Sequence, residues 1–193
     1  MPISGAAQAN ELFSGIPQQN NVLGESDAPV TMIEYVDIQC PWSAAFEKSA
    51  IPTIVRDYVR PGKLMFVQRP IGFIGPDSRR GRDAAFAAGL QGKYFELVQL
   101  LYLNQGEENS GWLTDDLLES AVASIPGLDA TKLFADRDSS TVADEEQTVD
   151  ADASADKVDA TPTILVGRTG RSTPKPAKPD LQSVENAIAA ALG

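Results

Sequence analysis

Histidine is absent from all 193 residues, and cysteine occurs once, at Cys40. The first absence removes Ser-His-Asp and Cys-His catalysis and the commonest metal ligand. The second excludes an internal disulfide, and with it a small secreted scaffold stapled by bridges. Basic residues are scarce too: 16 lysines and arginines stand against 27 aspartates and glutamates, a formal net charge of -11. Such a field repels polyanions and argues against nucleic acid as a partner. No apolar run approaches the roughly 18 to 20 residues that span a bilayer. The opening residues lack both the basic start and the apolar core of a secretory signal. With Met1 directly ahead of an arm-like segment, the chain reads as a soluble form trimmed at its start.

What is present suffices for a core, since 42% of the residues are hydrophobic. Residues 1–29, rich in Gly, Pro, Asn and Gln, read as an extended arm. The stretch VTMIEYV (30–36) is apolar on both faces, the pattern of a central strand covered on each side, with Glu34 its odd member. From Ser43 onward Phe46, Ala50, Ile51, Ile54, Val55 and Tyr58 recur at helical spacing, and Pro52 predicts a bend. LMFVQRPI (64–71) is a second buried strand, so strand, helix and strand follow in the order of a right-handed parallel crossover. Residues 76–158 carry only helical patterns, one of them capped by Thr114. TPTILVG (161–167) returns to strand. The prolines of RSTPKPAKP confine any strand there to an edge, and Asp180 caps a last helix. The resulting division is an arm (1–29), an α/β domain (30–75 and 159–193) and an inserted helical domain (76–158).

The acidic run DADASAD (150–156) invites a calcium reading. An EF-hand loop starting at Asp150 needs Gly at its sixth position and Glu at its twelfth, where the chain has Ala155 and Thr161. The run therefore reads as a solvated helix face, SRRGR (78–82) as a surface helix start, and no metal is expected.

Cys40 stands where the first strand gives way to its helix. A cysteine in a first helical turn faces unpaired backbone N–H groups and the positive end of the helix dipole, both of which favour thiolate. Pro41 fits the same turn, where its missing N–H has no partner to lose. Trp42 adds an apolar surface beside the sulfur. A lone cysteine is otherwise a small buried hydrophobe, but the carboxyl end of a strand is where open α/β sheets place their sites.

These stretches, with SGIPQQNNVLGESDAPVTMIEYVDIQCPW (14–42), IPTIVRDYVRPGKL (51–64) and VDATPTILVG (158–167), resemble the DsbA-like branch of the thioredoxin superfamily from about Leu12 to Leu192. The resemblance implies a thioredoxin fold interrupted by a helical domain, and thiol-disulfide exchange on proteins outside the cytoplasm. It makes Cys40 the first residue of a Cys-x-x-Cys pair whose second position holds Ser43. A hydroxyl cannot form a disulfide, so this form is expected to capture partners and not release them. An engineered Cys-to-Ser exchange is favoured over a natural monothiol variant, because the remaining pattern is that of an active oxidoreductase. Pro162 resembles the family's cis-proline, which implies a cis Thr161–Pro162 bond, with Thr161, Pro162, Pro41 and Trp42 shaping the substrate surface. Glu34 matches the family's buried acid, implying a raised pKa and a proton-relay role; Asp37 falls at the strand end, where its charge would oppose thiolate formation. No cofactor is expected. The implied partners are reduced or unfolded secreted proteins and, for a two-cysteine parent, a membrane quinone-linked reoxidase of the DsbB or vitamin K epoxide reductase type. The implied location is periplasmic or otherwise extracytoplasmic, with membrane anchoring through a preceding segment. Two alternatives remain: a glutathione-dependent transferase or isomerase that uses Ser43, and a noncatalytic peptide-binding module.

Overall fold

The computed structural model describes residues 2–171 and 173–193. Two strands, β3 (Val30–Val36) and β4 (Leu64–Pro70), run parallel in register from Val30 opposite Leu64 to Val36 opposite Pro70. Between them lie α2 (Pro41–Ser49), α3 (Ile51–Ile54) and a π-helical turn (Val55–Val59). The expected bend at Pro52 is a break at Ala50, after which Pro52 falls in the first turn of α3, where a proline costs no hydrogen bond.

Residues 6–23 do not form the expected arm. Helix α1 (Ala6–Phe13) buries Ala9 and Phe13, and Phe13 packs its ring 5.7 Å from that of Phe95. Strands β1 (Gln18–Gln19) and β2 (Val22–Leu23) form a hairpin that pairs antiparallel with β4, Val22 opposite Val67. Two-residue strands are too short to show alternation, and the buried Phe13, Ile16 and Leu23 are too sparse to show a period.

Helices α4 (Pro76–Gly89), α5 (Tyr94–Leu103), α6 (Asp115–Ala123), α7 (Ala130–Asp136) and α8 (Ser140–Ala155) follow β4. Thr114 caps α6 by accepting from the Leu117 N–H. The chain then returns through β5 (Thr163–Arg168), antiparallel to β3, and the short edge strand β6 (Lys175–Ala177), and ends in α9 (Leu181–Leu192), capped by Asp180. The sheet order is β1-β2-β4-β3-β5-β6, which makes β3 interior. Met32, Phe66 and Ile164 of the sheet share one continuous apolar cluster with Phe86, Leu101 and Leu118 of the helices. The helical segment therefore interrupts the chain without having a separate core. Among the described residues no helix is long and apolar enough to cross a membrane.

Candidate active site

Three local features set the thiol. After β3 the Cys40 N–H closes a turn onto the Asp37 carbonyl at 2.9 Å. Cys40 then becomes the N-cap of α2 in extended conformation, with Pro41 opening the helix and the Ala44 N–H bonding the Cys40 carbonyl at 3.0 Å. The third is sheet register: β5 lies beside β3 with Thr163 opposite Tyr35, which brings the segment before β5 to the start of α2. The Cys40 thiol, 6% exposed, donates to the Thr161 carbonyl at 3.3 Å. The Thr161–Pro162 peptide bond is cis, and both residues are partly buried.

The 37–40 segment is wired to the helices. Asp37 accepts from the Gln39 N–H (2.8 Å), the Ser78 hydroxyl (2.6 Å) and the N–H groups of Phe73 and Ile74 (3.2 Å each). The Gln39 side chain donates to Ser78 and Asn109 and accepts the Asn109 N–H, while Gln105 donates to the carbonyls of Ile38 (2.8 Å) and Cys40 (3.3 Å). Gly81 lets α4 approach this closely: a Cβ there would lie 2.8 Å from Ile38 Cγ2. Of SRRGR, in the first turns of α4, Arg79 and Arg80 are exposed but Ser78, Gly81 and Arg82 are buried, so the surface helix start that the sequence suggested holds only in part. Asp37 is bound up in this network as an anchor of the loops, a role sequence reasoning missed along with Gln39, Ser78 and Gln105. The only sequence signal for Asp37 and Gln39 is their polarity directly after a central strand, and Ser78 and Gln105 carry none.

A second buried polar group joins β3 to α2. Glu34 is buried on β3 and faces Glu47 of α2. The Gln68 amide of β4 donates to both, at 2.9 Å to Glu34 and in a short contact to Glu47. Burial pushes Glu34 up to about 7, against the smaller opposing effects of Gln68 and Glu47. Burial and the charge of Glu34 also push Glu47 well above the usual carboxylate range. Glu47 was legible only as a carboxylate one helical turn after Ser43 on the same buried face.

Of the remaining expected site residues, Pro41 is exposed and Trp42 is 76% exposed at the mouth of the thiol. Ser43 points inward, fully buried, and its hydroxyl has no hydrogen-bond partner. Phe73, on the loop tied to Asp37, is a second large exposed apolar side chain at 59%.

A thiol at the N-cap of a helix that leaves a central strand, faced by the carbonyl of a cis X-Pro pair, defines the thioredoxin-like class of thiol-disulfide oxidoreductases. The chain belongs to the thioredoxin family: residues 18–183 match the family model described as Thioredoxin. Among relatives, it is 32% identical over 187 residues to a probable disulfide bond formation protein D of Bacillus cereus, covering 94% of this chain and 82% of that protein. The crystal structure of oxidised BdbD from Bacillus subtilis superposes with a TM-score of 0.79 at 25% identity, covering 90% of this chain and 92% of that one. Wolbachia pipientis α-DsbA1 shares the fold, with a TM-score of 0.72 at 20% identity and 95% of each chain covered. The fold is DsbA-like, and the chain is a thiol-disulfide oxidoreductase that holds one thiol.

Proposed function

We propose that Cys40 is the nucleophile of protein thiol-disulfide exchange and that position 43 is the resolving position, occupied here by serine. The observation that carries this reading is the Cys40 sulfur at the N-cap of α2, 3.3 Å from the Thr161 carbonyl beside the cis bond to Pro162. The Cys40 thiolate attacks one sulfur of a substrate disulfide, and the substrate S–S bond breaks as the Cys40–S–S–substrate bond forms. The other substrate sulfur leaves as thiolate and takes a proton from water. With cysteine at 43, a second thiolate would attack Cys40 and free the substrate. Serine ends the sequence at the mixed disulfide.

Ser43 is buried with its hydroxyl unpartnered, a site that suits a thiol at least as well as a hydroxyl, and the rest of the pattern is that of a two-cysteine oxidoreductase. The same burial argues against activation of a glutathione thiol by Ser43. Exposed Trp42, with Thr161 and Pro162, forms the surface that receives an extended substrate strand, and the Glu34–Glu47 pair is the proton reservoir. Substrates are secreted proteins outside the cytoplasm. The two-cysteine form is recycled by a membrane quinone-linked reoxidase of the DsbB or vitamin K epoxide reductase type.

The test is intact-mass spectrometry after incubation with a small disulfide, repeated on Ser43→Cys. A persistent adduct on Cys40, replaced in the revertant by turnover and an internal disulfide, is the expected result. An unmodified Cys40, or a revertant without exchange activity, overturns the reading. Peptide capture that survives Cys40→Ala would favour the noncatalytic module instead.

A further inference from the structure

We propose that Tyr35, Arg69 and Asp156, assisted by Asp152, form a clasp that holds the Thr161–Pro162 segment against the Cys40 sulfur, and that they are positioning residues for exchange with extended substrates. The proposal rests on the reading of Cys40 given above.

Sheet register places Tyr35 of β3 directly opposite Arg69 of β4, and the guanidinium lies over the tyrosine ring, 5.3 Å from its centroid. Arg69 donates to the Tyr35 hydroxyl at 2.6 Å, and that hydroxyl donates to the Asp156 carboxylate at 2.6 Å. Arg69 also pairs with Asp152 at 2.7 Å and with Asp156 at 3.5 Å. Burial, reinforced by Asp156, holds the Tyr35 hydroxyl above its ordinary range, so it stays protonated and able to donate.

The two aspartates sit where a helix least favours them. Asp156 is the C-cap of α8 and Asp152 lies in its last turn, at the negative end of the helix dipole, with no basic residue in that turn. Their placement is explained by Arg69 on the neighbouring sheet. Asp152 and Asp156 thus fasten to the sheet through Arg69, while the run as a whole keeps the largely exposed face that its composition suggested.

Tyr35 grips the 157–162 segment at both ends. Its hydroxyl holds Asp156 before the segment, and its backbone is the register partner of Thr163 just after it. Between these anchors the chain turns through Lys157 at φ 57° and reaches Thr161, whose carbonyl meets the Cys40 thiol. Loosening one anchor frees the carbonyl and the groove edge without touching Cys40 or its helix. A small disulfide needs only the sulfur. A peptide disulfide lying along Thr161 and Pro162 needs the segment in place, and small displacements there are costly to reaction.

The experiment compares the rates at which Cys40 forms a mixed disulfide with a small disulfide and with an extended peptide disulfide, read by intact mass, in the protein as it stands and in Tyr35→Phe, Asp156→Asn and the double variant. We expect the small-disulfide rate to stay within about twofold and the peptide rate to fall about tenfold. The double variant should be no slower than the slower single one, because both break the same bond. Amide exchange should quicken within 157–163 only. Should a variant fail to fold, Asp152→Asn, at a more exposed end of the clasp, is expected to lower the peptide rate by about threefold. Equal falls in both rates, no fall in either, or faster exchange throughout the chain would overturn the clasp. Absence of any adduct in the parent would instead overturn the reading of Cys40 on which it rests.

Discussion

Asp37 and Glu34 leave the same strand within one short stretch, and neither is exposed to solvent. Asp37 receives three backbone N–H groups and the Ser78 hydroxyl. Glu34 shares a single amide with Glu47 and leans on that second acid. Burial is common to both, so the supply of donors separates them. The well-supplied carboxylate joins the strand end, the 73–74 loop and α4 into a frame for Cys40. The poorly supplied pair joins β3 to α2, the helix that opens at Cys40, with Glu34 brought up to about 7.

The largest effect should come from emptying the rich site. Asp37→Ala strands four buried or half-buried donors at once, and we expect it to cost about 4 kcal/mol in urea unfolding. Asp37→Asn keeps one acceptor oxygen and presents an amide to the others, so its cost should fall between that value and zero. A loss under about 1 kcal/mol for the alanine variant would break the contrast, because donors that can be abandoned cheaply are not the reason for the fold around Asp37.

The next effect is a gain from the poor site. Glu34 is raised from 4.5 to about 7 in the folded chain, so the folded state keeps a proton that the unfolded state has lost. Its contribution to stability is present below pH 4.5 and is lost as pH rises through 7, and Glu47 is shifted in the same direction. Glu34→Gln should therefore stabilise the protein at pH 8 by on the order of 3 kcal/mol and flatten its stability between pH 5 and pH 8. Denaturant titrations across that range check the slope, and a variant that keeps the parent's slope would remove Glu34 as its source.

Gln68→Leu sharpens the contrast by withdrawing the one amide the pair receives. The amide lowers both acids, so its loss should cost about 1 to 2 kcal/mol at pH 8 and less at pH 5, where the carboxyls are protonated. An equal cost at both pH values would show that Gln68 acts through packing alone.

Much of this was legible in the residues. The parallel crossover around Cys40 followed from two apolar runs with a helical period between them. The caps at Thr114 and Asp180 followed from side chains that can accept from a helix's first free N–H groups. Glu34 stood out as a charge in an apolar strand. What the sequence hid depends on partners far along the chain: Ser78 reaching Asp37, Gln105 reaching the Cys40 carbonyl, and Arg69 reaching Asp152 and Asp156. Local pattern carries no information about such pairings, so SRRGR and DADASAD read as solvent-facing when each supplies a buried or sheet-bound contact. The hairpin at 18–23 was hidden for another reason: its strands are shorter than the period that would reveal them.

The smallest expected effect lies at Ser43, on the poorly supplied side of the contrast and one helical turn before Glu47. Its hydroxyl is buried without a partner, so the parent carries the desolvation cost of that group with nothing returned. Ser43→Ala should relieve it and add a modest helix-propensity gain, together about 1 kcal/mol of stabilisation in urea unfolding. Ser49→Ala on the same helix separates the two contributions. Ser49 is exposed and bonds the Ala45 carbonyl at 2.7 Å, so its replacement offers the propensity gain without the relief of a buried hydroxyl. A larger gain at 43 than at 49 places Ser43 among the groups that α2 buries without donors or acceptors to match. A loss at 43 would mean that its hydroxyl is satisfied, and that the face of α2 that carries Glu47 toward Glu34 is better supplied than the contrast with Asp37 requires.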